Sequence, residues 1–161
     1  MALQTAKKHL AQFGAAERIQ EFPTSSATVE LAAQALGCAP CRIAKTLSFS
    51  LSDGVLLIVT AGDVRIDNAK FRTTFHTKAR MLPAAEVERA MGHAVGGVCP
   101  FGVNPGVSVY LDESLRRFDT VFPACGSENS AIELTLSELE QFSGSLGWVD
   151  VCKKYENSAQ S

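Results

Sequence analysis

The sequence predicts a single domain of mixed α/β (α+β) class, with peripheral helices around a mixed, barrel-like β-sheet of about six or seven strands. A chain of 161 residues, 46% of them hydrophobic, has the size of one domain and enough apolar material for one core. Segments with helical periodicity alternate with strand-like runs, and the strands are joined both by a tight turn and by longer crossovers. Together these two kinds of connection indicate a sheet with parallel and antiparallel pairs.

Two amphipathic helices are predicted in the first part of the chain, each ended by a glycine. Residues 2–13 have apolar side chains at helical spacing and are followed by Gly14. Residues 29–36 repeat this pattern before Gly37. A short strand over 18–22 lies between the two helices and ends where a cluster of proline, threonine and serine breaks the chain.

A β-hairpin is predicted at the centre of the sheet. Its strands span residues 45–51 and 55–60, and the Asp53-Gly54 step between them is a strong turn signal. Residues 55–59 are all apolar, so we expect the second strand to be central.

The remaining elements are shorter. We predict helices over 68–75 and 84–91, strands over 78–82, 107–111, 118–122, 131–134 and 148–152, and an ordered Gly/Pro-rich loop over 92–106. Thr135 and Glu138 have the spacing of a capping box, which predicts a further helix starting there. The domain is expected to span residues 1–152, with a polar tail over 153–161.

Composition and charge argue against several classes of protein. The longest apolar run is far shorter than the roughly 20 residues that cross a bilayer, so we expect no membrane association. Five cysteines, an odd count in a chain with sufficient core, predict reduced thiols and a soluble cytoplasmic protein. The formal net charge of −2 gives no overall attraction for nucleic acid, and DNA is not an expected partner.

One segment is nevertheless basic. Between residues 64 and 82, Asp67 is the only acid among a group of cations: Arg65, Lys70, Arg72, Lys78 and Arg80. Clustered cations are typical of a surface that contacts phosphates, and they also occur on ordinary solvated faces. The segment is therefore a hypothetical phosphate-contacting surface, and a solvated face is the alternative.

Cys38 and Cys41 have the C-x-x-C spacing of redox and zinc sites. A thioredoxin-like pair follows a strand and opens a helix, whereas this pair follows the end of a helix. A zinc knuckle would require a second close pair, which the sequence lacks. The spacing alone therefore does not predict a metal or a redox cofactor.

Lys45 begins the buried face of the first hairpin strand, because alternation places it with Leu47 and Phe49. A lysine in this position either extends past the strand end into water or lies in a cleft where an anion or a carbonyl meets it. The pattern leaves both alternatives open.

Two segments could bind a ligand through small groups. Gly96 and Gly97 precede Pro100 in a loop whose amides could approach an oxyanion, although an ordinary turn has the same composition. The segment 124–130 offers hydroxyl and amide groups between two strands. Cys99 could be a thiol nucleophile with His93 or His76 as its base, but the spacing does not select it.

These signals coincide in one known family. Ile43-Ala44-Lys45-Thr46-Leu47, the Gly96-x-x-x-Pro100 loop and the Gly126-Ser127 turn occur in the order found in the YbaK/EbsC family, which the chain resembles from about residue 3 to 152. That family includes the editing domain of bacterial prolyl-tRNA synthetase and its free-standing relatives. The resemblance implies a mixed-sheet α/β fold and no cofactor or metal.

The resemblance also implies an activity, a trans-editing deacylase that hydrolyses the ester of a mischarged tRNA, most often proline tRNA. Its expected partners are the tRNA acceptor end and prolyl-tRNA synthetase. Lys45 is implied to contact the substrate near the ester, while Gly96, Gly97 and Pro100 hold the aminoacyl carbonyl region. The remaining substrate-binding candidates, which include hypothetical pocket-lining residues, are Thr46, Val98, Cys99, Gly126, Ser127, Asn129 and Ser130.

The sequence leaves open which amino acid is removed and whether the protein hydrolyses its tRNA ligand or only binds it. Cysteine-specific members of the family have an acidic residue after the late turn, where this chain reads Ser130-Ala131-Ile132, so cysteine specificity is not expected. A module that binds tRNA ends or nucleotides without hydrolysis would use the same basic segment and loop.

Overall fold

The computed structural model describes residues 2–22, 29–51, 54–83, 86, 99–103, 106–125 and 129–154. Within them the chain forms four α-helices: α1 Ala2–Ala11, α2 Val29–Leu36, α3 Asn68–Phe75 and α4 Leu136–Ser143. The strands are β1 Gln20–Glu21, β2 Ile43–Leu51, β3 Gly54–Ala61, β4 Val64–Ile66, β5 Val107–Asp112, β6 Thr120–Pro123, β7 Ser130–Ala131, β8 Leu134–Thr135, β9 Trp148–Val149 and β10 Cys152–Lys154. Short 3-10 turns span Ala16–Arg18, Pro40–Arg42 and Glu113–Arg117.

The described strands form one curled half-barrel sheet of six strands in the order β8-β6-β2-β3-β5-β9. The hairpin β2–β3 is antiparallel, while β2–β6, β3–β5 and β5–β9 are parallel. Two smaller antiparallel pairs, β1–β7 and β4–β10, flank this sheet. The predicted fold class, a single mixed α/β domain with peripheral helices, is confirmed.

The hairpin is the most buried part of the sheet. From Leu56 to Val59 every side chain of β3 is fully buried, so both faces of this strand lie in the core. On one face, the Phe49 ring on β2 packs 5.0 Å from Phe71 of α3, and Phe75 packs 5.4 Å from Tyr110 of β5. The predicted central position of β3 follows from its unbroken apolar run.

Helix α1 packs against α4 and the segment 99–103. The Phe13 and Phe142 rings are stacked at 4.6 Å, and His9 Nε2 lies 2.6 Å from the Phe142 carbonyl oxygen. The Phe101 ring is 6.2 Å from that of His9. His9, for which the sequence suggests no function, therefore joins two elements of the fold.

Local signals predicted the helices well. The capping box is confirmed, because Thr135 Oγ1 accepts from Glu138 N and the Glu138 carboxylate accepts from Thr135 N. Asp67 caps α3 by accepting from the amides of Ala69 and Lys70. Of the predicted helix over 84–91 only Glu86 is described, and it is helical. Most of the predicted loop over 92–106 and residues 155–161 of the predicted tail lie outside the described residues.

Several predicted strands differ from those observed. The strand over 78–82 is reduced to a bridge between Met81 and Phe49, and the strand over 131–134 divides into β7 and β8. The last strand divides into β9 and β10, and β10 continues into the predicted tail as far as Lys154. The predicted last strand is interrupted between β9 and β10 because the Val151 amide donates to the Asp112 carboxylate and not to a neighbouring strand.

Candidate active site

Lys45 lies on β2 opposite Thr60 of β3, on the face that also holds Leu47 and Phe49. Its side chain is half-buried, and Nζ donates a hydrogen bond to the backbone carbonyl of Val64 on β4. Lys45 is therefore held at the end of the central hairpin, beside β4.

A buried carboxylate lies near this lysine. Asp112, only 1% exposed, accepts from Ser114 N through Oδ2 and from Val151 N through Oδ1, both at 2.9 Å. Burial raises the pKa of the Cys152 thiol, as do the charge and hydrogen bond of Asp112, while the nearby Lys45 ammonium lowers it. The buried Asp112 carboxylate, the buried Cys152 thiol and the half-buried Lys45 ammonium thus form one polar cluster.

A polar cleft of about 470 Å³ opens beside this cluster. It is lined by Val64, Lys70, Asp112, Glu113, Ser114, Arg117, Asp150, Cys152 and Lys153. Sequence reasoning missed Asp112, although an acid that ends an otherwise apolar strand was a usable signal. Val64, whose carbonyl binds Lys45, forms part of the cleft wall.

Thr46 follows Lys45 and points to the opposite face of β2, where its ladder partner is Val59. Its hydroxyl oxygen is buried and has no hydrogen-bond partner in the described part of the chain. A buried hydroxyl without a partner is costly and uncommon in folded proteins. The side chains of Lys45 and Thr46 therefore lie on opposite faces of the sheet, although the two residues are adjacent in sequence.

Only the end of the predicted Gly-x-x-x-Pro loop can be described. Gly96, Gly97 and Val98 lie outside the described residues, whereas Cys99 and Pro100 are buried. Cys99 Sγ contacts the Phe101 carbonyl oxygen at 3.7 Å, and the thiol is fully buried, which does not favour a nucleophile that meets substrate.

Residues beside the loop end and the late turn are buried in the same core, which includes Cys99 and Cys125. Burial raises the pKa of the Cys125 thiol, and the nearby Cys99 thiol raises it further. Cys99 adjoins Pro100, and Cys125 directly precedes the turn that begins at Gly126. Cys99 and Cys125, which border two predicted substrate-binding segments distant in sequence, therefore belong to one hydrophobic core.

The late turn itself is partly described. Gly126 and Ser127 lie outside the described residues. Asn129 Nδ2 donates to the Phe22 carbonyl at 3.0 Å, and Phe22 N donates to the Asn129 carbonyl at 2.8 Å. Ser130 is 1% exposed and pairs with Glu21 in the β1–β7 ladder. These contacts attach the end of the turn to the N-terminal segment.

The predicted basic surface divides into two parts. Lys70 Nζ binds Asp150 Oδ1 and the Cys152 carbonyl, both at 3.0 Å, and the hydrogen bond to Asp150 raises the pKa of Lys70. Arg65 is half-buried on β4. The other three predicted residues, all exposed on or after α3, are Arg72, Lys78 and Arg80.

Cys38 and Cys41 are free and half-buried beside the Pro40–Arg42 turn. Within the described ranges, the acidic, cysteine and histidine side chains form no group of three or more that could hold a metal ion. No helix in the same ranges is long and apolar enough to cross a membrane.

The half-barrel sheet, with a polar cluster at the end of its central hairpin, defines a small single-domain α/β protein. The model of the aminoacyl-tRNA editing domain family matches residues 24–142, which is more than half of the chain. The chain belongs to this family.

The chain is similar to three proteins that support its membership of this family. The uncharacterized protein YwhH of Bacillus subtilis (strain 168) is 56% identical over 157 residues, covering 97% of this chain and 100% of YwhH. A proline–tRNA ligase of Thermotoga neapolitana is 29% identical over 100 residues, which cover 61% of this chain and 17% of the ligase. A crystal structure of a candidate trans-editing enzyme for prolyl tRNA synthetase matches with a TM-score of 0.86 and 29% identity, covering 94% of this chain and 97% of that one.

Proposed function

We propose that this protein is a trans-editing aminoacyl-tRNA deacylase, which hydrolyses the ester between a small non-cognate amino acid and proline tRNA. Membership of the editing family supports the reaction class. Similarity to a candidate trans-editing enzyme along almost the whole chain supports action on a tRNA charged elsewhere. The partial match to proline–tRNA ligases supports proline tRNA as the substrate.

The observation on which the proposal depends is the half-buried side chain of Lys45, whose ammonium is held by the carbonyl of Val64, a residue of the cleft wall. Ester hydrolysis builds negative charge on the carbonyl oxygen in the transition state. A preorganised cation and backbone amides stabilise that charge without reorganising when the reaction occurs. In the proposed reaction Lys45 and the amides of Gly96 and Gly97 have this role, while Pro100 fixes the loop.

The proposed reaction needs no nucleophilic side chain. An aminoacyl ester is already activated, and a ribose hydroxyl of the terminal adenosine orients the attacking water. The side chains of Arg72, Lys78 and Arg80 supply exposed charge for the tRNA backbone. A small pocket rejects larger amino acids, because apolar contacts alone separate side chains that differ by one methylene by only about 1–3 kcal/mol.

The test measures deacylation of proline tRNA charged separately with alanine, cysteine, serine, threonine, 2-aminobutyrate or proline. Wild type should release at least one wrong amino acid and spare proline. Lys45→Ala should lower kcat by about 100-fold, the range measured when one oxyanion donor is removed. Lys8→Ala, which removes an exposed lysine on α1, is the matched control and should behave as wild type.

Binding is measured separately on the same tRNAs. Lys45→Ala should weaken tRNA binding much less than it slows hydrolysis. If the wild type binds tRNA but releases no amino acid from any of these substrates, the deacylase proposal is wrong and a non-catalytic tRNA-binding module replaces it.

A further inference from the structure

The contacts that hold Lys45 in place converge on one buried side chain, Asp112. We propose that Asp112 is a positioning residue for Lys45, which fixes both the backbone of the lysine and the carbonyl that binds its ammonium. The inference rests on the proposed function only in assuming that the placement of Lys45 matters for hydrolysis.

The first set of contacts leads from Asp112 to the backbone beside Lys45. Asp112 Oδ2 accepts from Ser114 N at 2.9 Å, and Ser114 Oγ accepts from Ala61 N at 3.1 Å. Ala61 is the last residue of β3, and its ladder partner is Ala44, which directly precedes Lys45. One carboxylate oxygen therefore fixes the strand end against which Lys45 is aligned.

The second set of contacts leads to the ammonium. Asp112 Oδ1 accepts from Val151 N at 2.9 Å, and the Val151 carbonyl accepts from Asp67 N at 2.8 Å. Val151 directly precedes β10, which pairs with β4 and thereby places Val64 opposite Lys154. Because the Val64 carbonyl accepts from Lys45 Nζ, the other carboxylate oxygen fixes the partner of the ammonium.

A carboxylate suits this position because both of its oxygens accept hydrogen bonds. Burying an ionised carboxylate is costly unless it is hydrogen-bonded or paired. Here two backbone amides donate to Asp112, one to each carboxylate oxygen. An asparagine of the same size has one acceptor oxygen, and its amide group would face one of the two N–H donors.

The closing experiment follows the Lys45 side chain directly. Lysines are labelled with ¹³C, and the Lys45 ε-carbon signal is assigned by its loss in Lys45→Arg. Asp112→Asn should move that signal toward the position of exposed lysines. It should also lower kcat for deacylation by about 10- to 100-fold with little change in KM, as expected for a misplaced group.

Asp119→Asn is the matched control, since it makes the same chemical change at an exposed aspartate that does not line the cleft. It should leave the Lys45 signal and the activity unchanged. If Asp112→Asn does not fold, Ser114→Ala breaks only the first set of contacts and should move the signal less far.

An unmoved Lys45 signal in a folded Asp112→Asn or Ser114→Ala protein would overturn the proposal. A signal that moves while the wild type shows no deacylase activity would instead refute the proposed function and leave the positioning of Lys45 supported. The two failures are therefore distinguishable.

Discussion

Replacing Thr46 by valine should stabilise the protein, although a polar-to-apolar change beside a candidate active site would ordinarily be expected to cause harm. Thr46 Oγ1 is buried without a hydrogen-bond partner among the described residues. Valine has nearly the same shape and the same preference for strands. The substitution therefore removes an unsatisfied hydroxyl and leaves packing against Val59 almost unchanged.

The size of the effect follows from the cost of an unsatisfied buried group, about 1–3 kcal/mol. We expect a gain of about 1–2 kcal/mol in the free energy of unfolding, toward the lower part of that range because the Thr46 side chain as a whole is only half-buried. For a chain of this length, 1 kcal/mol corresponds to about 2–4 °C in Tm. The expected rise in Tm is therefore about 2–8 °C.

Thr60→Val is the matched control. Thr60 lies next to Val59 on β3 and is fully buried, but its hydroxyl donates to the Ala61 carbonyl at 3.1 Å. Loss of that hydrogen bond should destabilise the protein by about 0.5–1.5 kcal/mol. Urea unfolding of both variants, with Tm measured by calorimetry, gives the comparison. If Thr46→Val is neutral or destabilising, the Thr46 hydroxyl is satisfied in solution and the reasoning fails.

Two further substitutions test the packing around the site and a surface ion pair. Gly62→Ala should lower the free energy of unfolding by about 2–3 kcal/mol in urea, because the added Cβ would lie 2.3 Å from the Pro40 carbonyl oxygen. If the variant is as stable as the wild type, the backbone at this turn moves easily and the prediction is wrong. Arg18 lowers the pKa of Glu138 to about 2 from 4.5, so the ion pair stabilises the fold fully above pH 4.5 and is lost as pH falls toward 2. Glu138→Gln should therefore cost up to about 1 kcal/mol at pH 7 and almost nothing near pH 2, and an equal cost at both pH values would contradict this assignment.

The sequence predicted the elements whose signals are local. The apolar run of β3 and the capping box at Thr135 each depend on residues close in the chain, and both are present. Helix α3 begins directly after Asp67, as the sequence indicates. The Asp67 side chain accepts from two amides of the first helical turn, so this signal is also local. Such signals depend little on the rest of the fold.

The elements that the sequence did not predict depend on distant partners. Strand β4 has only three residues and exists because β10 pairs with it across more than 80 positions of sequence. The same holds for the site: neither the Val64 carbonyl nor the Asp112 carboxylate is near Lys45 in the chain. A motif can therefore identify Lys45 as a candidate, but the groups that hold it become visible only in the folded protein.

The distribution of charge also differs from what a count of cations suggests. Lys70 belongs to the basic segment, yet it binds Asp150 and helps to fix the region around β10. Its contribution to a field that attracts phosphates is largely neutralised by that partner, whereas Arg72 and Arg80 remain exposed. In an acidic chain, tRNA attraction of this kind would depend on a few exposed residues, and its strength should therefore fall with added salt along a shallow slope, which is set by the small number of phosphates they contact.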